Sequence, residues 1–479
     1  MRFRLPALIV IAGAIAAIPG PVTAGEAVRS AGPTLTSASL LRRPVQIPET
    51  PQLPDGTLDL RAAIAEALAA NPAIAGADAR LAGADARLLE ARSMWLPRAG
   101  VTETIMRSDN PVFVFGSLLE QGNFGQQNFD PAFLNDPNPH TNFRLALNVQ
   151  YTVFDQFRRL NMNRKAHNGV TQAGLAGDDA RRRLRAEVIS RFYGILVADQ
   201  RRDVAAEAVG AAEADVSAMR DRFEQGLIVR ADLLGAEVQL ATFRQNLIEA
   251  ESQAAIARAA LATLIRRPIS QSLTPRGSIP DSLPAELTLE SAIDRGLAAR
   301  ADVRIADSAA ENATLDLKTA HGSLLPRLDT FASWGSSSDR LTGGDPDRAI
   351  GVVIGFDLFD GARYARIAQS RAGLLAARAD AAAARDAATM EIVSAWHRTN
   401  SARSRLAVAA ASVSSAEEAA RIVRDRYENG LTFITDHLRA QTALLGARLE
   451  LITARYDYAV GYAELMRTTG GLDDVDAFD

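Results

Sequence analysis

Cysteine is absent from all 479 residues. Its absence excludes a disulfide framework, a thiolate metal site and a thiol nucleophile. It also leaves no N-terminal cysteine to carry a lipid anchor. Histidine is scarce: the five residues at 140, 167, 321, 397 and 437 are scattered, and none has the spacing of a metal-protease helix. A Gly-x-Ser-x-Gly elbow, a phosphate loop and a dinucleotide fingerprint are all missing. The chain is therefore not expected to be an enzyme, and no catalytic residue, cofactor or metal is expected. After residue 24 no apolar run approaches the ~20 residues of a transmembrane helix.

What is present points to an exported, helix-rich chain. Hydrophobic residues make up 47% and charged residues 23%, which fits neither a disordered chain nor a bundle of membrane helices. Much of the apolar content is alanine, which favours long helices in close contact. Residues 1–24 read as a secretory signal: Arg2 and Arg4, an apolar run from Leu5 to Ile18, then Val22-Thr23-Ala24 before a cut at Gly25. An N-terminal membrane anchor is the other reading. Losing the two arginines makes the formal charge of −4 more negative still, which argues against a nucleic-acid partner. An exported chain with no lipid anchor and no later membrane helix is either soluble or a β-barrel.

The chain is internally duplicated. Leu58-Asp-Leu-Arg-Ala-Ala-Ile-Ala-Glu-Ala-Leu-Ala-Ala recurs as Leu287-Thr-Leu-Glu-Ser-Ala-Ile-Asp-Arg-Gly-Leu-Ala-Ala, and Leu96-Pro97 recurs at the same offset as Leu325-Pro326. Phe154-Asp155 recurs as Phe359-Asp360, and Arg220-Asp-Arg-Phe-Glu-Gln-Gly-Leu227 as Arg424-Asp-Arg-Tyr-Glu-Asn-Gly-Leu431. The offset shortens appreciably only between the second and third landmarks, so the extra length of the first copy lies between Pro97 and Phe154. The repeats are assigned to 58–286 and 287–469. Residues 25–57 are rich in Pro, Ser and Thr and read as an extended strap. The proline-rich 266–286 reads as an irregular connector, and 470–479 as a tail.

Each repeat predicts a helix, two strands, a very long helix and a shorter helix. The first helix covers about 58–94, interrupted at Asn71-Pro72, and its copy runs unbroken over about 289–324. Pro97 and Pro326 stop both. The long helices are predicted at 158–225 and 363–429; some 65 residues at 1.5 Å each reach about 100 Å. The shorter helices, 231–265 and 435–468, carry a heptad seam. It runs through Leu240, Phe243, Leu247, Ala250, Ala254, Ala257, Leu261 and Leu264 in the first copy. In the second it runs through Leu444, Ala447, Leu451, Ala454, Tyr458, Gly461 and Leu465. A short helix entering and one leaving are expected to lie along one long helix.

The strands set this chain apart from a coiled-coil rod. Phe143, Leu145, Leu147, Val149, Tyr151 and Val153 alternate with polar or small residues, a strict period of two. Ile350, Val352, Ile354, Phe356 and Leu358 repeat the pattern. Strands are expected at 99–107, 143–154, 328–335 and 348–358, long enough to cross a bilayer when tilted. Four strands enclose no lumen, and lipid forbids an open edge. Transmembrane strands therefore require oligomerisation, and three copies give 12 strands around a pore. A small soluble sheet is the alternative.

In these landmarks and their duplicated order the chain resembles the TolC-like outer-membrane factors, over about residues 58–469. The resemblance implies a mostly α fold with a membrane β-barrel: a homotrimer with a 12-stranded barrel in outer-membrane lipid and a 12-helix tunnel through the periplasm. It implies a periplasmic adaptor and an inner-membrane pump as partners, and passive conduction of substrates as the function. An elongated periplasmic helical scaffold or adhesin is the alternative from another class.

Gly226 and Gly430 suit left-handed helix ends, and the resemblance implies that the segments around them are the two periplasmic tips. Arg222, Gly226 and Leu227, with Arg426, Gly430 and Leu431, match the family motif that meets adaptor hairpins; the arginines also suit solvated helix ends. Asp232 and Asp436 suit the N-termini of the following helices. The resemblance adds a gate made of Asp436, Arg439, Tyr427 and Asp232. The family's second acidic position is Arg439 here, which speaks against a double acidic ring and leaves an acidic ring or an alternating Asp436/Arg439 ring as the two readings of the gate. Family topology places the long insert at 107–142 outside the cell, where it narrows the exit, serves as a surface for phage and antibodies, or folds over to pack its own phenylalanines.

Overall fold

A computed structural model describes residues 57–270, 273–280, 282–284, 287–472 and 478. The signal reading at 1–24, the strap but for residue 57, and most of the tail lie outside the described residues. The first described element is the short strand β1 (Thr57–Leu58). Helix α1 (Leu60–Ala70) starts on Asp59, whose carboxylate accepts from the Ala62 amide at 2.6 Å. Asn71 then ends α1 and caps α2 (Pro72–Ser93), with Pro72 in the first turn where its missing donor costs nothing. Strand β2 (Arg98–Ser108) leads into the insert, which holds α3 (Pro111–Glu120), a 3-10 turn at Gln126–Phe129 and α4 (Pro131–Asn135). Strand β3 (His140–Phe154) is followed by α5 (Arg158–Glu224) and α6 (Arg230–Leu264), and the connector contributes β4 (Thr274–Pro275).

The second repeat gives α7 (Leu289–Ala299), α8 (Ala301–Gly322), β5 (Arg327–Ser338), β6 (Asp345–Gly355), α9 (Gly361–Glu428) and α10 (Ile434–Thr468). The four long strands form one antiparallel sheet in the order β2-β3-β5-β6, so the two repeats meet at β3–β5. The connector strand β4 pairs in parallel with β1. Helices α2 and α6 both pack on α5, and α8 and α10 both pack on α9. At 67 and 68 residues, α5 and α9 each extend about 100 Å. Every seam position named above is buried or half-buried.

The core divides along the long helices. Its larger part, around Ile189, Phe192, Tyr193, Leu261, Ile265, Leu273 and Ile452, sits where α1, α5, α6, α10 and the connector converge. There Arg267 of the connector clasps Glu66 of α1 with two bonds of 2.6 and 2.8 Å, both side chains buried. The smaller part, Val209, Val216, Met219, Leu240, Phe243 and Ile434, lies towards the helix turns.

Three expectations need correction. The helix predicted unbroken over 289–324 is two helices, parted at Arg300. The Arg300 backbone (φ −69°, ψ 129°) nearly repeats that of Asn71 (φ −74°, ψ 126°) without any proline. Tertiary bonds hold the break: the Arg300 guanidinium binds Asp302 at 2.6 and 2.9 Å and also Glu391 of α9. The last strand runs over Asp345–Gly355, so Phe356 and Leu358 lie beyond it. Asp357 instead turns the chain, its carbonyl and carboxylate accepting from Arg363 at 3.2 and 2.9 Å. Finally, the first helix starts at Leu60 and not at residue 58, because Leu58 is taken up by β1.

Candidate functional site

Two regions bring the predicted site residues together: the turns that join the long helices to the short ones, and the sheet. Both turns close on a left-handed glycine, Gly226 at φ +72° and Gly430 at φ +73°. The Leu227 amide donates to the Arg222 carbonyl at 2.9 Å and the Gly226 amide to Phe223 at 2.9 Å. Leu431 donates to Arg426 at 2.8 Å and Gly430 to Tyr427 at 3.0 Å in the same way. These are paired Schellman ends, which satisfy the last helical carbonyls. They leave Leu227 and Leu431 about two-thirds exposed, with Val229 and Phe433 beside them also exposed.

Neither Asp232 nor Asp436 is the N-cap. Val229 and Phe433 hold those positions and make no side-chain cap. The carboxylates sit in the first helical turn, where the amide end of the helix favours negative charge. Asp436 accepts from the Thr432 hydroxyl at 2.8 Å, and the Arg439 guanidinium lies 3.8 Å away and largely exposed. The two predicted ring residues are thus paired within one chain.

Tyr427 leads to a cluster the sequence reading missed. Its ring stacks on His437, with centroids 5.3 Å apart and planes 7° apart, and the Arg222 guanidinium lies 5.2 Å above it. His437 is 2% exposed. Its Nε2 is 3.2 Å from an Asp215 carboxylate oxygen, which also accepts from Gln441 at 2.5 Å. Burial raises the Asp215 carboxyl, but the bonds from His437 and Gln441 and the nearby Arg424 outweigh it and hold it below the usual carboxylate range. Tyr427 Oη, His437 Nδ1 and Gln441 Oε1 are buried without a partner among the described residues. A partly satisfied polar network is a weak point in an otherwise packed bundle. It joins α5 of one repeat to α10 of the other at the turns. A signal existed: stepping the α10 seam back from Leu444 by three and then four lands on Gln441 and His437, polar residues in an apolar register.

The sheet has two unlike faces. Strand register aligns Val101, Leu147, Trp334 and Arg348 across the sheet, and Ile105, Leu145, Ile350, Val352 and Ile354 share their face. Apart from Glu103, Arg107 and Arg348 this face is apolar or carries hydroxyls, and most of its large side chains are exposed. The opposite face carries Thr102, Arg144, Asn148, Gln150, Thr152, Asp329, Ser333 and Asp347, with bonds such as Thr152 to Asp329 at 2.7 Å. The outer edges of β2 and β6 have no partner strand among the described residues.

Where strands become helices, one arginine per repeat is buried. Arg159 is 4% exposed, binds Asp155 at 3.1 Å, donates to the carbonyls of Met94 and Val153 at 3.3 Å, and lies 4.6 Å over Trp95. Arg363 makes the matching turn with Asp357. The recurrent Phe-Asp landmark thus marks a joint between sheet and long helix. Among the described residues no group of three metal-ligating side chains comes together, and no helix is long and apolar enough to cross a membrane.

A sequence model described as outer membrane efflux protein matches residues 63–265 and 292–471, one stretch in each repeat. The chain belongs to this family. Alkaline protease secretion protein AprF of Pseudomonas aeruginosa is 24% identical over 343 residues, covering 69% of this chain and 70% of AprF. Outer membrane protein OprJ of the same organism is 26% identical over 320 residues, covering 63% of this chain and 60% of OprJ. The crystal structure of the CmeC outer membrane channel of Campylobacter jejuni shares the fold, with a TM-score of 0.73 at 19% identity over 86% of this chain and 85% of that one. As an outer membrane efflux protein, the chain is the outer-membrane channel component of an efflux or secretion system. Family and fold are those of channels and not of enzymes, and the scaffold or adhesin alternative falls away.

Proposed function

We propose that three copies pool their sheets into one 12-stranded barrel in the outer membrane, and that the long helices continue it as a tunnel into the periplasm. The observation that carries this reading is the sheet itself. It has four strands, an apolar face exposed to the outside, a polar face opposite, and two free edges. Lipid leaves no water to satisfy an open edge, so such a sheet is stable there only when closed. Two copies would give eight strands, whose side chains fill the interior; three leave a passage. The polar face then lines the lumen.

In this arrangement the helix turns are the periplasmic end. Asp436 and Arg439 form an alternating charged ring around the entrance, Tyr427 helps hold it closed, and Asp232 adds negative charge at the neighbouring turn. Arg222, Gly226 and Leu227, with Arg426, Gly430 and Leu431, present exposed leucines for a periplasmic adaptor, behind which an inner-membrane pump drives export. Conduction is passive. The test is purification from outer-membrane fractions. The expected product is a detergent-dependent trimer that dissociates only on heating and conducts ions in planar bilayers. A monomer soluble without detergent would refute it.

A further inference from the structure

The insert between β2 and β3 is not a loose loop. Asn110 caps α3 by accepting from the amides of Val112 and Phe113 at 3.0 and 3.2 Å. Val114 and Leu118 are buried beneath it, and Phe115, Phe124 and Phe129 form an edge-to-face row with centroids 4.7 and 5.1 Å apart. The end of α3 is fastened to the polar face of the sheet at the end remote from the long helices. Glu120 accepts from Arg144 and Asn142 at 3.3 Å and from the Ser337 hydroxyl at 3.1 Å. The buried Gln121 donates to Asn142 at 2.9 Å and to the carbonyls of Thr141 and Ser338 at 3.1 Å.

Arg144 has a second partner, Asp347 of β6, at 2.6 Å, which it reaches by crossing over β5. The residue crossed is Gly335; a Cβ there would run into the Asp347 carboxylate and press on the guanidinium. One arginine thus ties α3, β3 and β6 together, and a glycine makes room for it. The other hairpin of the same sheet, β5–β6, turns in six residues, 339–344, so the sheet does not need so long an insert to close.

We propose that residues 109–139 form a collar inside the outer mouth of the channel: α3, clasped to the lumenal face through Glu120, Arg144 and Asp347, narrows the exit and turns back bulky hydrophilic solutes arriving from outside. The collar rests on the barrel reading above, because only closure turns the polar face into a lumen. It is a second constriction, built from the sheet end of the chain and independent of the helix turns. An ion pair this exposed is weak by itself and screened by salt. The clasp holds through its neighbours and yields when its charge is reversed.

The experiment is polymer exclusion on the full-length protein in planar bilayers, with polyethylene glycols of graded mass added on the outer side. Glu120→Lys sets like charges against each other and is expected to raise the largest polymer that lowers the current. Leu119→Lys also adds a positive charge, at an exposed neighbour, and is expected to leave the cut-off where it is. A chain with 112–134 replaced by a short Gly-Ser turn, which needs no clasp to fold, should admit the largest polymers of all. Equal cut-offs in the native protein, Glu120→Lys and the shortened chain would overturn the collar and leave the channel standing. A native protein that never conducts removes the barrel, and the collar with it.

Discussion

At the scale of single residues the proposed gate rests on the helix turns. Asp436 is half-exposed and 3.8 Å from Arg439. In the proposed trimer three Asp436 carboxylates would ring the entrance and attract cations. Asp436→Asn is expected to weaken block of the single-channel current by a polyvalent cation added on the periplasmic side; unchanged block removes Asp436 from the gate. Asp215 is the more buried carboxylate and carries the tip packing. Its folded value lies below its unfolded one, so its contribution is complete above the ordinary carboxylate range and fades as pH falls through the lower, folded value. Asp215→Asn leaves His437 without its anionic partner and should loosen the turn by about 1–3 kcal/mol. Hydrogen exchange of amides 427–441 at neutral pH reads this as faster opening. The native protein should approach the variant's rates only in strong acid, once the intrinsic pH dependence of exchange is removed.

At the scale of elements, the two repeats show what a sequence carries. Period two along 143–153 and the three-four seams along α6 and α10 are local properties, and the structure places those strands and helices within a few residues of their expected bounds. The glycine turns were legible for the same reason, since Gly226 and Gly430 answer a conformational need at their own positions. What the sequence hid was held from a distance. The break at Arg300 depends on Glu391 of α9, ninety-one positions away. The His437 cluster depends on Asp215 at a separation of 222; in the first repeat the corresponding seam position is Leu233, so the duplication itself masked the polar insertion. The sheet faces yield a prediction at this scale. Val352 projects from the apolar face and Ser333 from the polar one. Val352→Lys should destabilise the inserted trimer by about 2–4 kcal/mol, while Ser333→Lys costs little because it points into water. Unfolding from phospholipid vesicles in urea separates the two, and equal costs would remove the distinction between lipid and lumen.

At the scale of the whole molecule, the question is how many chains close the cylinder. Each copy brings an edge at β2 and another at β6 with no partner strand among the described residues, so closure of the proposed barrel would be heterologous: β6 of one copy would pair with β2 of the next until the ring is complete. A heterologous ring has a definite number of members, and nothing among the described residues of a single chain caps its edges early. The absence of cysteine makes that number countable. One cysteine placed in β2 and another scanned along β6 bring two sulfurs within disulfide reach only where the edges meet, since the bond needs Cβ atoms about 4 Å apart. Oxidation of such a pair in outer-membrane vesicles is expected to give a denaturing-gel ladder of one, two and three chains. The three-chain band should run anomalously, because a third bond closes it into a circle. A ladder stopping at two or continuing past three fixes a different ring, and with it a different lumen. If no position along β6 ever links, the edges do not meet and the barrel is not built this way.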